Sequence, residues 1–276
     1  MPHNLPRLSI VIPSYNQGEF IERTIKSIVD QRYPNLDLIL MDGGSTDDTM
    51  EIVAQYSDHF SHISSEPDGG QSAAIVKGFS LATGKYISWL NSDDTYAPGA
   101  LVAMGEILAA RPDVAFAYGH TNIIDANDRV IAYKKSIRFS LGVMKYAFLT
   151  VPQMSAFWAK QLYDKVGGID TSLRFCMDYD LFVRMAGHSA PLLINAHIGN
   201  FRVHGSSKTS NLEKVRQAED ALVHARYCSV KPTSPITFKM VRTFYVGVLC
   251  ILMIANGSFW TRIAGRFRNN MQSECS

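Results

Sequence analysis

The residues best suited to chemistry close the run GKYISWLNSDD, where Asn91-Ser92-Asp93-Asp94 follows a short apolar stretch, Tyr86–Leu90. Two adjacent carboxylates repel each other, and neither is cheaply buried alone. A hard divalent cation would relieve both, because such ions take oxygen ligands and often bridge them to phosphate. Acidic residues beside the positive end of a helix give the same pattern without any ligand.

Four further groups have two readings each. Asp42, before Gly43-Gly44, can accept hydrogen bonds from a base or ribose while the glycines let a ligand approach the backbone, or it can simply make an Asp-Gly turn. Asp178 and Asp180 precede the apolar face Leu181, Phe182 and Met185, where a carboxylate can serve as a general base or as a helix cap. Arg202, His204, Ser206, Ser207 and Lys208 can clamp a phosphate, and the imidazole can ligate a metal; a solvated basic loop is the plainer meaning. Gln153 and Trp158 flank an apolar segment in which the indole is either a sugar platform or core. There is no G-x-G-x-x-G and no G-x-x-x-x-G-K-[ST], which disfavours the common dinucleotide and P-loop modes.

The elements that must position these groups alternate. Leu8–Ile12, Asp37–Met41, Tyr86–Leu90 and Val114–Tyr118 read as strands. Helices are expected over Glu19–Gln31, from Ser45 or Thr46 to about Tyr56, over Gln71–Ala82 with Gly84 as its stop, and over Gly99–Ala109. This pattern predicts an α/β fold with a mostly parallel sheet flanked by helices. In such sheets ligands bind beyond the carboxyl ends of the strands. The polar clusters starting at Pro13, Asp42 and Asn91 all fall at those ends, so together they outline a site. The segment from Gly119 to Asn211 is less regular and reads as a continuation of the same domain.

Composition sets outer bounds. The 276 residues are 46% hydrophobic and 19% charged with a net charge of +2, enough for a large core and without the basic block of a nucleic-acid binder. Cys176, Cys228, Cys250 and Cys275 are scattered with no C-x-x-C, against a zinc site or a disulfide framework and in keeping with a reducing, cytoplasmic compartment. The first apolar run is short and ends at Pro13, unlike a signal peptide.

Taken in order, SIVIPSYNQGEFIERTIKSIVDQ, MDGGSTDDT, SEPDGGQS, WLNSDD, VGGID…MDYDLFVR and RVHGSSKTS resemble the family 2 inverting glycosyltransferases of the GT-A fold, of the kind found in bacterial surface polysaccharide synthesis. The resemblance spans about Leu8 to Asn211. It implies a catalytic domain over 1–211, with 1–118 holding a nucleotide diphosphosugar, a UDP-sugar by preference, and 119–211 the glycan or lipid-linked acceptor. By position it implies donor contacts at Pro13, Tyr15, Asp42, Asp68, Gln71, Asp93 and Lys208. It implies Mn²⁺ or Mg²⁺ held by Asp93, Asp94 and His204, a catalytic base at Asp178, and acceptor contacts at Gln153, Trp158 and Gly168. Three positions depart from the pattern: Asn91 replaces the usual first Asp, Met177 the usual Glu before the base, and Ala73-Ala74-Ile75-Val76 a more polar run. A nucleotidyltransferase of related fold and a sugar-nucleotide-binding protein with a decayed site are the rival readings.

Residues 212–276 are expected to form a helical tail. Between Thr243 and Thr261 there is no charged residue, with Lys239 and Arg242 before it and Arg262, Arg266 and Arg268 after it. A helix packed on the catalytic domain, one lying in the membrane interface and one spanning the bilayer all fit this pattern; peripheral contact at the inner face of the cytoplasmic membrane is the expectation.

Overall fold

The computed structural model describes residues 5–205, 213–228 and 235–258. Its first half alternates strand and helix: β1 (Leu8–Ser14), α1 (Ile21–Val29), β2 (Leu36–Asp42), α2 (Thr49–Ala54), β3 (His62–Ser65), α3 (Gln71–Leu81), β4 (Tyr86–Trp89). A two-residue strand β5 (Thr95–Tyr96), α4 (Ala100–Ala110), β6 (Phe116–Ile124) and β7 (Val130–Lys134) follow. Then come α5 (Leu141–Tyr146), β8 (Ala156–Ala159), α6 (Lys160–Lys165), α7 (Met177–Ala186) and β9 (Leu192–Arg202). The helices α8 (Glu213–Tyr227) and α9 (Pro235–Ala255) end the described chain.

The strands form one sheet in the order β3-β2-β1-β4-β8-β6-β9-β5, with β7 on β6. β1 pairs parallel with β2 and β4, and β2 with β3, as the alternation predicts. Beyond β4 the sheet becomes mixed. β8 enters antiparallel between β4 and β6, and the short β5 antiparallel to β9. β8 is reached from β7 through the long segment that carries α5, and it runs against both of its neighbours.

Period-two alternation gives each face of the sheet its own core. Ile10, Ile12, Leu38 and Leu40 pack with α1 and α4, whose stripes include Ile21, Ile25, Leu101 and Met104. Val11, Met41 and Trp89 lie on the other face with Phe79 of α3 and Phe182 of α7. Gly78 is what lets α3 lie so close, since a Cβ there would come within 2.5 Å of Val11. Gly84 does not adopt the left-handed C′ conformation; Ala82 ends α3 in extended backbone, and Gly84 instead gives room to Ser9. The expected cap of α2 also differs. Asp47 Oδ1 accepts from the Thr49 N–H at 3.1 Å, while Ser45 turns back to Asp42.

Candidate active site

A cavity of about 1340 Å³ opens beyond the carboxyl ends of β1, β2 and β4 and continues beside β6 and α7. One end is polar. Pro13 and Tyr15 leave β1 there, and Tyr15 is 60% exposed at the mouth. A Cβ placed on Gly43 would be 3.4 Å from both the Tyr15 ring and the Asp68 carboxylate, so these two side chains converge over that glycine. Asp68 Oδ1 accepts the Gly70 N–H at 2.6 Å, and this turn leads into α3.

Asp42 lies beneath this wall instead of in it. It is 3% exposed, and its oxygens accept from the hydroxyls of Ser45 at 2.5 Å and Ser65 at 2.6 Å and from the N–H groups of Gly44 and Ser45. These four hydrogen bonds make its carboxylate the brace of the glycine turn beneath the cavity. Gly44, at φ +82°, supplies the left-handed backbone that this turn needs.

The Asn91–Asp94 cluster divides. Asp93 lines the cavity, and its Oδ2 is 3.1 Å from Nε2 of His204, brought over from the loop after β9. Asp94 is 1% exposed; its Oδ1 accepts the Arg202 backbone N–H at 2.9 Å. Burial, reinforced by the Asp93 charge, pushes the Asp94 carboxyl well above the usual carboxylate range. The expectation that Asp94 faces a cation is corrected on geometry: it is buried against the backbone of β9, and the cavity wall is formed by Asp93 instead. Asn91 lines the cavity and accepts from Gln71 Nε2 at 2.7 Å, so Gln71 braces this turn.

Arg202 serves as the brace of the same turn, not as a clamp in a solvated loop. It is 1% exposed, its Nε donates to the Asp93 carbonyl at 2.6 Å, and its Nη1 donates to the Asp125 carbonyl at 3.1 Å. Its guanidinium also meets Asp128 at 2.6 Å and lies over the Phe20 ring. Lys208, Ser206 and Ser207 lie outside the described residues.

Asp178 reaches the cavity from the first turn of α7. The segment before it is held by a residue of α8. Glu219 accepts three backbone N–H groups, from Arg174 on one oxygen and from Phe175 and Cys176 on the other, each at 2.8 Å. Asp180 faces the other way, 1% exposed, in ion pairs with Arg184 and Arg226 and a hydrogen bond from Tyr227. Met177, where the resemblance leads one to expect Glu, is buried next to Ser72.

The acceptor residues separate as well. Gln153 lines the cavity and donates to the Trp89 carbonyl at 2.6 Å. Trp158 is fully buried among Phe79, Trp89, Phe116 and Phe182, so the sugar-platform expectation is corrected to core. Gly168, at φ +72°, lies against Tyr163 in a second, smaller depression away from the cavity. Ser14 and Thr150, neither singled out from sequence, line the cavity with buried hydroxyls that have no hydrogen-bond partner among the described residues. Burying such hydroxyls is costly unless something else bonds them, which suits a bound ligand.

Comparison with known proteins bears on the family and the fold. The model of the family described as "Glycosyl transferase family 2" matches residues 9–160. An uncharacterized glycosyltransferase of Rickettsia prowazekii is 28% identical over 223 residues, 78% of this chain and 70% of that protein. Among solved structures, S. aureus TarS (residues 1–349) in complex with UDP-GlcNAc superposes with a TM-score of 0.64 at 15% identity, over 84% of this chain and 76% of that one. The mannosyltransferase PcManGT from Pyrobaculum calidifontis, in complex with GDP-Man and Mn²⁺, superposes with a TM-score of 0.60 at 16% identity, over 98% of this chain and 82% of that one.

Proposed function

The chain belongs to glycosyl transferase family 2 and has the GT-A fold, and from that premise we propose that it transfers a sugar from a nucleotide diphosphosugar, a UDP-sugar, to an acceptor hydroxyl with inversion. The observation that carries this reading is the convergence of Asp93 and Asp178 on one cavity, with His204 held 3.1 Å behind Asp93 and an exposed aromatic at the polar mouth.

In this reading the base lies between Tyr15 and the Asp68 turn, and the diphosphate is directed towards Asp93. Among the described residues no three His, Cys, Asp or Glu side chains gather as a self-sufficient metal site. The Asp93 carboxylate and His204 imidazole would nevertheless suit a Mn²⁺ or Mg²⁺ ion, since such ions are commonly held by one or two carboxylates together with substrate. When bound, that ion neutralises the leaving diphosphate as a Lewis acid. Lys208 is proposed as a further cation for the diphosphate.

Asp178 accepts the proton of the acceptor hydroxyl as its oxygen attacks the anomeric carbon. The bond from that carbon to the diphosphate oxygen breaks on the opposite face, the electron pair leaves with the nucleoside diphosphate, and configuration inverts. The acceptor is a growing polysaccharide or glycolipid, and the work is done in the cytoplasm at the inner face of the membrane. Titration calorimetry with UDP, GDP and dTDP sugars, with and without Mn²⁺, tests the donor half. Binding that needs the metal and favours a UDP-sugar is the expected result; no binding of any nucleotide sugar would sink the reading.

A further inference from the structure

The helix α9 is in contact with the body of the protein along one stripe only. Tyr245 stacks on Tyr146 of α5 with ring centroids 5.1 Å apart. Leu249 and Met253, one and two turns on, pack with Ile137, Val143 and Ala147. Just past the helix, Asn256 Nδ2 donates to the Ser136 carbonyl at 3.0 Å. Away from this stripe, Ile236, Met240, Phe244, Ile251 and Ile254 are between 56% and 75% exposed. Over Ile236–Ala255 only Leu249 and Met253 are buried. An apolar surface of this kind on a soluble domain marks a site of interaction.

These contacts choose among the three placements that the sequence leaves open. A core helix would be mostly buried, and this one is not. A spanning helix would be surrounded by hydrocarbon, whereas here one side is held from Tyr245 to Asn256 against α5 and the backbone at Ser136. A second copy of the chain would bring Lys239 and Arg242 to a helix that has no acidic residue to meet them. Those two cations are exposed near the start of the helix and match the charge of anionic headgroups.

We propose that the exposed face of α9 lies in the headgroup region of an anionic bilayer, with the helix axis along the membrane surface. The inference deepens the membrane-side location given above and does not depend on the chemistry of transfer. It has a consequence for the site. Two residues beyond Tyr146, Phe148 is 37% exposed and begins the stretch 148–151 that lines the cavity. Seating α9 on a bilayer brings this less polar end of the cavity beside the membrane.

The test uses the full chain and sedimentation with vesicles of phosphatidylglycerol and phosphatidylcholine, or of phosphatidylcholine alone. Wild type is expected to sediment with the anionic vesicles, less so at high salt, and to be released by alkaline carbonate. Phe244→Glu with Ile251→Glu should weaken vesicle binding by about tenfold or more while the thermal midpoint and nucleotide binding are unchanged. Lys239→Ala with Arg242→Ala should remove the preference for anionic lipid. Wild-type protein that ignores both vesicles would overturn the proposal, as would retention after the carbonate wash, which means a span. A dimer that dissociates in the Phe244→Glu/Ile251→Glu variant, without vesicle binding, would assign the face to a second copy. Vesicle binding together with failure to bind any nucleotide sugar would overturn the transferase reading alone.

Discussion

The backbone N–H of Arg202 meets Oδ1 of Asp94 at 2.9 Å, and this contact ties the end of β9 to the turn that carries Asp93. The Arg202 side chain strengthens the tie through the Asp93 carbonyl, 2.6 Å from its Nε. Two neighbouring carboxylates therefore have different duties: Asp94 is buried and structural, while Asp93 faces the cavity.

Substitutions should separate those duties. Asp94→Ala leaves a buried donor unmet and is expected to cost roughly 2–4 kcal/mol of stability in urea unfolding. Asp94→Asn should cost much less, because burial already favours the uncharged carboxyl and an amide oxygen can still accept from Arg202. Asp93→Ala should change stability by no more than about 0.5 kcal/mol yet abolish the effect of Mn²⁺ on nucleotide affinity. Equal loss of stability in Asp93→Ala and Asp94→Ala would refute the division.

Glu219 is a positioning residue by the same logic. Glu219→Ala frees the three N–H groups of residues 174–176 just before Asp178. The turnover rate should fall about tenfold or more, with donor affinity unchanged. Glu219→Gln, which keeps an acceptor oxygen, should recover part of the rate. A parallel fall in donor affinity would mean that Glu219 supports the whole fold and not this segment.

Acid stability should report on Asp37, a buried residue of β2 that pairs with Ser9 of β1. Burial alone would raise its pKa, but hydrogen bonds from Ser61, Ser9 and Thr83 outweigh it and hold the carboxyl below the usual range. A depressed folded pKa contributes stability that is present above the unfolded value, near ~4, and is lost as pH falls through the folded value. Asp37→Asn should therefore have the lower thermal midpoint at pH 7, and the two midpoints should converge as the pH drops below 4. A gap that stays constant with pH would assign the loss to packing.

How much of this was legible in the sequence depends on range. The strand ends at Ser14, Asp42 and Asn91 are readable because apolar runs stop there at polar clusters, whereas the pattern around Asp178 fits a helix cap as well and only the family resemblance singles it out as a base. Asp93 and Asp94 could not be told apart by type; only the three-dimensional contacts show that one faces the cavity and the other the backbone of β9. Trp158 sits in an apolar segment where an indole is more often core, and its full burial follows that pattern and not the sugar-platform role that the family resemblance implies. The hold of Glu219 on residues 174–176 is a contact across 43–45 positions within a helix that reads as a detached tail, and no local pattern announces it. Antiparallel entry of β8 was likewise hidden, because strand direction is set by connections and not by residue pattern.

The central claim is tested most directly by the transfer rate of Asp178→Asn with a bound donor. The substitution keeps size and the hydrogen bond from the Tyr179 N–H, now 2.8 Å from Asp178 Oδ1, but removes the proton acceptor. With the thermal midpoint and metal-dependent donor affinity unchanged, the rate should fall on the order of 10²-fold or more. A wild-type rate in Asp178→Asn would contradict the account and move the base elsewhere in the cavity.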